Sequence, residues 1–263
     1  MKYIKYLILL LLPAFVFIHG CESNDKVSES VCIPKPVNKK VLVEFFTNAG
    51  CQPCVAAHKY LDQITANTCT TFNDTSVIII SYHAKYPYIF DSLYRANSIQ
   101  NDARGNYYSV NTTPKGFLDG VSMGSDFYAY GWTKQIEVEF KTTAYLDIVL
   151  SNIYDPNVDS GSVTANITSL GGIPATDNVI HFIITQNKIS YVTAPNGVKF
   201  PNDVMRYMIT GSDGEDITIG SSNTVVKTYG IKQNWIADNC YITVFVQNKT
   251  TKQVFGVERI KVK

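Results

Sequence analysis

The feature that most constrains this chain is a change of hydrophobic period at residue 51. Val41-Leu42-Val43-Glu44-Phe45-Phe46-Thr47 is an apolar run rich in β-branched and aromatic residues, and Asn48-Ala49-Gly50 joins it to Cys51-Gln52-Pro53-Cys54. Beyond that point Cys54, Ala57, Leu61 and Ile64 recur at spacings of three and four, the stripe of a helix laid against a sheet. A buried strand therefore hands over to a helix across a Cys-x-x-Cys. Cys51 stands where the helix begins, and there free backbone N–H groups and the positive end of the dipole favour a thiolate, so it is the expected attacking sulfur. Cys54 points inward and is the expected resolving thiol. Pro53 suits the first turn because it has no N–H to lose there.

The amino terminus reads as an export signal. Lys2 and Lys5 precede an apolar run from Tyr6 to Ile18 that is too short for a permanent membrane span. The run ends Ile18-His19-Gly20-Cys21, which resembles the bacterial lipobox, and that resemblance implies lipidation at Cys21 and removal of residues 1–20. Residues 21–39 are polar, contain Pro34 and Pro36, and suit a tether. The expected location is the cell envelope, anchored to the outer membrane on its periplasmic or surface side by acyl chains. Disulfides are permitted there.

The rest of the first half continues in an α/β order. Val77-Ile78-Ile79-Ile80-Ser81-Tyr82 is a continuous apolar strand of parallel-sheet type. Asp91 or Ser92 caps a second helix with an expected apolar face at Leu93, Ala96, Ile99 and Ala103. Thr113-Pro114 follows, then a hairpin turning at Asp119-Gly120 and a last helix near Gly131–Thr142. In this order the segment 40–142 resembles the thioredoxin fold. The resemblance implies that Pro114 is the cis-proline beside the first cysteine, and that the backbone of Thr113 offers strand-like hydrogen bonds to an incoming polypeptide.

Two residues depart from the thioredoxin pattern. Gly50 stands where a tryptophan usually precedes the first cysteine. Phe45 takes the place of the buried acid, and Glu44, one residue away, belongs on the opposite face of the strand. The wording Glu-Phe-Phe-Thr-Asn-x-Gly-Cys-x-x-Cys, with the lipobox and a long β-rich second half, is similar to the twenty-eight-kilodalton outer-membrane lipoprotein family. On the sequence the motifs look specific in the first half and diffuse in the second.

Other cysteines and histidines have simpler readings. Cys51 and His58 lie about 10 Å apart along a helix axis, too far for one metal site that also uses Cys54. No metal or other cofactor is expected. His83, at the carboxyl end of the second strand, stands on the rim where α/β sheets place their sites and is a candidate to assist thiolate formation or partner binding. His181, within Val179–Ile183, reads as an ordinary strand residue. Cys32 and Cys69 flank the first strand and helix, and their pairing is the preferred structural bridge, with Cys240 a buried core thiol.

From residue 143 the pattern changes to short strands at Tyr145–Leu150, Ser162–Ile167, Val179–Ile184, Thr224–Thr228, Cys240–Val246 and Val254–Val262. Turn clusters such as Gly171-Gly172, Pro195-Asn196-Gly197 and Ser212-Asp213-Gly214 separate them. Strands at this spacing without helices argue for an all-β sandwich of immunoglobulin-like class over 143–263, with no catalytic constellation of its own.

Charge narrows the function. Lys and Arg total 23 against 22 acids, so there is no basic face for nucleic acid. Two readings remain: a lipid-anchored thiol–disulfide oxidoreductase acting on protein thiols or disulfides through Cys51 and Cys54, or a non-enzymatic surface lipoprotein that uses the two folds as a binding scaffold.

Overall fold

The structure is a computed structural model that describes residues 39–66, 76–127 and 131–263. The expected signal peptide, the lipidation site Cys21 and the Cys32–Cys69 bridge lie outside the described residues. Among the described residues no helix is long and apolar enough to cross a membrane.

The core of the first half is a pair of strands buried on both faces. β1 (Val41–Thr47) lies parallel to β2 (Val77–His83) with all seven residues in register, from Val41 opposite Val77 to Thr47 opposite His83. Every residue of both strands is buried, as their mostly apolar composition favours, and Glu44, Thr47, Ser81 and His83 are buried with them. The period of two then sorts β1 into two cores. Val41, Val43 and Phe45 face α1 (Pro53–Thr65) and α4 (Gly131–Phe140), meeting Cys54, Ala57, Leu61, Trp132 and Ile136. Leu42 and Phe46, with Ile78, Ile80 and Tyr82, face the other way. β3 (Lys115–Leu118) pairs antiparallel with β1, and the two-residue β4 (Val121–Ser122) closes the hairpin at Asp119-Gly120.

The second helix is broken. Asp91 caps α2 (Ser92–Ala96) by accepting the Leu93 N–H, but at Asn97 the backbone leaves helical geometry before α3 (Ser98–Tyr107) resumes. The Asn97 side chain bonds the Arg206 carbonyl at 3.1 Å, a competing partner of the kind that interrupts helices. The break rotates the buried face. Ile99, expected inside, is 81% exposed, while Asn101 and Arg104 are buried.

The second half contributes β5 (Leu146–Asp155), β6 (Ser160–Ser169), β7 (Asn178–Gln186), β8 (Val204–Met208), β9 (Glu215–Ile217), β10 (Ser222–Gly230), β11 (Cys240–Asn248) and β12 (Val254–Lys261). Six of these match expected strands within a few residues; β8 and β9 were not foreseen. β10, β6 and β5 form a three-stranded sheet. The other strands extend the first sheet in the order β12-β11-β7-β8-β2-β1-β3-β4, with β9 on β7. The join is narrow: a parallel bridge between Ser81 and Val204, with the Ser81 N–H donating to the Asp203 carbonyl at 2.7 Å.

The strands after residue 143 lie in two β layers, one of them continuous with the sheet of the first half. The reason is visible in β7, whose nine residues are all buried. Its Ile180, Phe182 and Ile184 meet Ile148, Val163 and Ile167 of the small sheet, while Ile183 and Phe245 of β11 pack with Leu42, Phe46 and Tyr82 from β1 and β2. A strand apolar on both faces needs a cover on each, and the first half supplies the second one.

Candidate functional site

The Cys-x-x-Cys is placed by the end of β1. Asn48 turns the chain: its side-chain N–H groups reach the carbonyls of Ala84 and Tyr88 at 2.7 and 3.0 Å, and its oxygen accepts the Gly50 N–H. Gly50 is needed for close approach, because a Cβ there would sit 2.4 Å from the Cβ of Tyr88. That collision explains why no tryptophan stands before Cys51. Gln52 caps α1 in helical geometry without a side-chain bond, and Pro53 takes the first turn. Cys51 and Cys54 form a disulfide, and the Cys54 N–H points at the Cys51 sulfur at 3.2 Å. The sulfur of residue 51 thus does lie at a helix amino terminus.

It does not lie open to solvent. Cys51 is 2% exposed and Cys54 fully buried. Against the backbone of the cysteine loop lie residues 189–201, in the connection between β7 and β8, which folds back on itself through the Ile189–Pro201 and Tyr191–Lys199 backbone bonds. At its tip the Asn196 N–H donates to the Ala49 carbonyl at 2.8 Å, and the Asn196 side chain donates to the carbonyls of Asn48 and Cys51, each at 3.3 Å. The Gln52 amide reaches the Pro195 carbonyl at 3.4 Å. Gly197 holds φ +82°, a left-handed turn that glycine adopts without strain. Tyr191 accepts the Ser92 N–H, and Asn202 bonds Asp62 on α1. The Pro195-Asn196-Gly197 turn signal was legible; its docking against the cysteines was not.

Thr113 and Pro114 lie at the start of β3, joined by a cis peptide bond, and the pairing of Lys115 with Phe46 brings them to the same end of β1 as the cysteines. The Thr113 hydroxyl reaches the Tyr86 carbonyl at 3.5 Å.

His83 is buried, and its partner is Asp91. Nδ1 of His83 lies 2.6 Å from one carboxylate oxygen of Asp91, the same oxygen that accepts the Ala49 N–H at 2.8 Å, while the other accepts the Leu93 N–H. Burial alone would raise the Asp91 pKa, but His83 and the bonds from Ala49 and Leu93 outweigh it and hold the carboxyl below its usual value. Asp91 therefore ties the cysteine loop to the carboxyl end of β2 and the start of α2. Nε2 of His83 is buried and has no hydrogen-bond partner among the described residues. His58, four residues after Cys54 on α1, is buried against Phe45 and bonded to the Thr47 hydroxyl at 2.9 Å. Burial, with His83 acting in the same direction, lowers its pKa to about 3, so it is neutral. Among the described residues no cluster of His, Cys, Asp or Glu could hold a metal ion.

Glu44 faces away from the cysteines. Arg104 grips it through Nε and Nη2 at 2.6 and 2.7 Å, and Tyr82 and Tyr108 donate to it at 3.0 and 2.6 Å. Gln247 of β11 accepts from Arg104 at 2.8 Å and donates to Tyr108 at 2.8 Å. This buried network joins β1, β2, α3 and β11. Arg104 escaped the sequence reading, although a glutamate inside an apolar strand signals that a buried cation must exist.

Known proteins resemble the chain in two ways. Residues 101–263 match the outer membrane protein Omp28 family. The recognisable part is thus mostly the β-rich half that looked diffuse, and it begins after the cysteines. In structure, HBP35 of Porphyromonas gingivalis superposes with a TM-score of 0.73 over 87% of this chain and 77% of that one, at 13% identity. A domain of the outer membrane lipoprotein Omp28 from Porphyromonas gingivalis covers 46% of this chain and 91% of its own, with a TM-score of 0.35 and 18% identity. No curated protein matches.

Proposed function

This chain belongs to the outer membrane protein Omp28 family, which places it in the outer membrane, and on that footing we propose that it is a lipid-anchored binding scaffold rather than a dedicated redox enzyme. The observation that carries the reading is the burial of Cys51. A nucleophile must be met by its target sulfur in line, and one that is 2% exposed beneath hydrogen-bonded backbone cannot be met without local opening. In this reading the Cys51–Cys54 bridge fastens the turn between β1 and α1, and the β layers present the binding surface. The test is whether the reduced full-length chain reduces a protein disulfide such as that of insulin. The scaffold reading expects a rate no faster than free dithiol at equal concentration.

A second reading has its own support. The thioredoxin-like arrangement proposed for the first half, with the Cys51 sulfur at the start of α1 and a cis Thr113–Pro114 peptide at the same end of β1, suits thiol–disulfide exchange with protein partners once the 189–201 segment is displaced. Rapid insulin reduction would favour it.

A further inference from the structure

A cavity of about 300 Å³ opens to solvent between β8, β10 and the turn that follows β10, and its walls include Tyr207, Thr228, Tyr229, Lys232 and Trp235. The wall is mostly apolar, with Ile209 and Ile231 beside the aromatic rings and Lys232 as its one cation, and among the described residues no carboxylate lines it. The Lys232 ammonium stands 5.5 Å from the centre of the Trp235 ring and 6.0 Å from that of Tyr207, and the Arg206 guanidinium stands 5.1 Å from the same tryptophan. Two cations thus share one ring.

Neither cation has an acidic partner among the described residues. The acids on neighbouring segments are engaged elsewhere: Glu215 pairs with Lys227, Asp238 with Lys263 at 3.3 Å, and Asp159 accepts the Tyr154 hydroxyl at 2.7 Å. Burial raises the thiol of Cys240, near Arg206, to about 12, so it supplies no negative charge. Burial also holds Arg206 below its ordinary value, the mark of a guanidinium that water and counter-charge serve poorly. A partly buried guanidinium and an exposed ammonium beside the open face of Tyr207 are complementary to an anion carried on a ring.

We infer that this cavity binds a carboxylated sugar ring, the uronic acid unit of an acidic saccharide. The carboxylate meets Lys232 in the field that Arg206 reinforces, the C–H face of the pyranose lies on the exposed Tyr207, and the Thr228 hydroxyl and Tyr207 phenol serve the ring hydroxyls. Tyr207 is 44% exposed, so the platform is open on one side and a longer saccharide can continue into solvent. The volume accommodates one or two rings. This inference rests on the scaffold reading and names its ligand; it fails separately, because the insulin assay does not involve the cavity.

The test is a titration of the full-length chain with digalacturonate, lactose and inorganic phosphate, followed by tryptophan fluorescence and by calorimetry. The chain has two tryptophans, and Trp132 is fully buried in another core, so the fluorescence reports Trp235. The expected result is saturable binding of digalacturonate, about tenfold weaker in Lys232→Ala and recovered in Lys232→Arg, as loss of one charge-assisted contact requires. Lactose gives no response and phosphate does not compete at equal concentration. Absence of saturable binding up to about 10 mM, equal binding of lactose, equal competition by phosphate, or an unchanged Lys232→Ala variant overturns the proposal. Because Lys232 is exposed, its variants leave the fold intact.

Discussion

The side-chain amide of Asn196 donates to the carbonyl of Cys51 at 3.3 Å across 145 residues of sequence, so a turn of the second half closes the cysteine loop of the first. The same side chain accepts the Val198 N–H at 3.1 Å, which shapes the turn that does the closing. Asn196→Ala removes these bonds together. At about 1 kcal/mol for each net hydrogen bond, the variant is expected to accelerate reduction of Cys51–Cys54 by small thiols about tenfold or more and to lower the melting temperature by several degrees. Quenched thiol labelling read by mass spectrometry measures it; an unchanged rate means that the segment does not govern access.

The Glu44–Arg104 pair supports the fold without touching the cysteines. Glu44→Gln leaves a buried guanidinium without its counter-charge and is expected to cost about 3–5 kcal/mol in chemical denaturation. The reduction potential of Cys51–Cys54 should stay where it was, since the carboxylate lies on the other face of β1. A shifted potential would restore Glu44 as a proton acceptor for the resolving thiol.

Asp91 acts on the loop directly. Asp91→Ala orphans the Ala49 and Leu93 N–H groups and strips His83 of its partner, with an expected loss of about 2–4 kcal/mol from the combined cap and buried bonds. Hydrogen exchange should show the loss of protection concentrated at Ala49 and at the start of α2. A uniform loss across the sheet contradicts a local tether.

Acid acts on the fold through buried groups of opposite sign: His58 and Asp91 cost stability, whereas Asp119, pushed up to about 7 by burial, binds its proton first in the folded chain and offsets the loss between about pH 7 and 4. His58 is neutral in the fold because burial lowers its pKa to about 3, whereas in the unfolded chain it titrates near 6.5. The unfolded state therefore binds the extra proton between these values, and the histidine's own contribution falls by about 1.4 kcal/mol for each pH unit as pH drops through that window, which the difference between the parent chain and a His58 variant isolates. Asp91, held below its usual value, adds its own loss only below about 4, where the unfolded carboxyl begins to protonate. His58→Gln should remove the histidine's contribution and spare that of Asp91. Urea denaturation from pH 7 to pH 3.5 separates them.

Much of the local structure was written in the chain. The five apolar residues of the seven in β1, the three- and four-residue spacing after Cys54 and the Asp91 cap depend on neighbours in sequence, and each appears at its place. What stayed hidden depends on distant partners. β8 is five residues long and joins β2 through a single bridge, so no periodicity announces it. The helix breaks at Asn97 because its amide finds the Arg206 carbonyl, more than a hundred residues away. The closure of the site has the same origin, since nothing local to Pro195-Asn196-Gly197 says which loop it covers. One nonlocal signal was available: β7 lacks any polar alternation, which demands a cover on both faces and so a sheet shared between the halves.

The protection of the Cys51 sulfur decides the account most directly. In a full-length Cys54→Ala variant, the alkylation rate of Cys51 at neutral pH can be compared in the folded chain and in denaturant. Labelling is expected to be at least about 100-fold slower in the folded chain, the sign of a thiol reached only through local opening. Labelling as fast as, or faster than, in the denatured chain would mean an open, activated nucleophile, and the scaffold reading would give way to thiol–disulfide exchange.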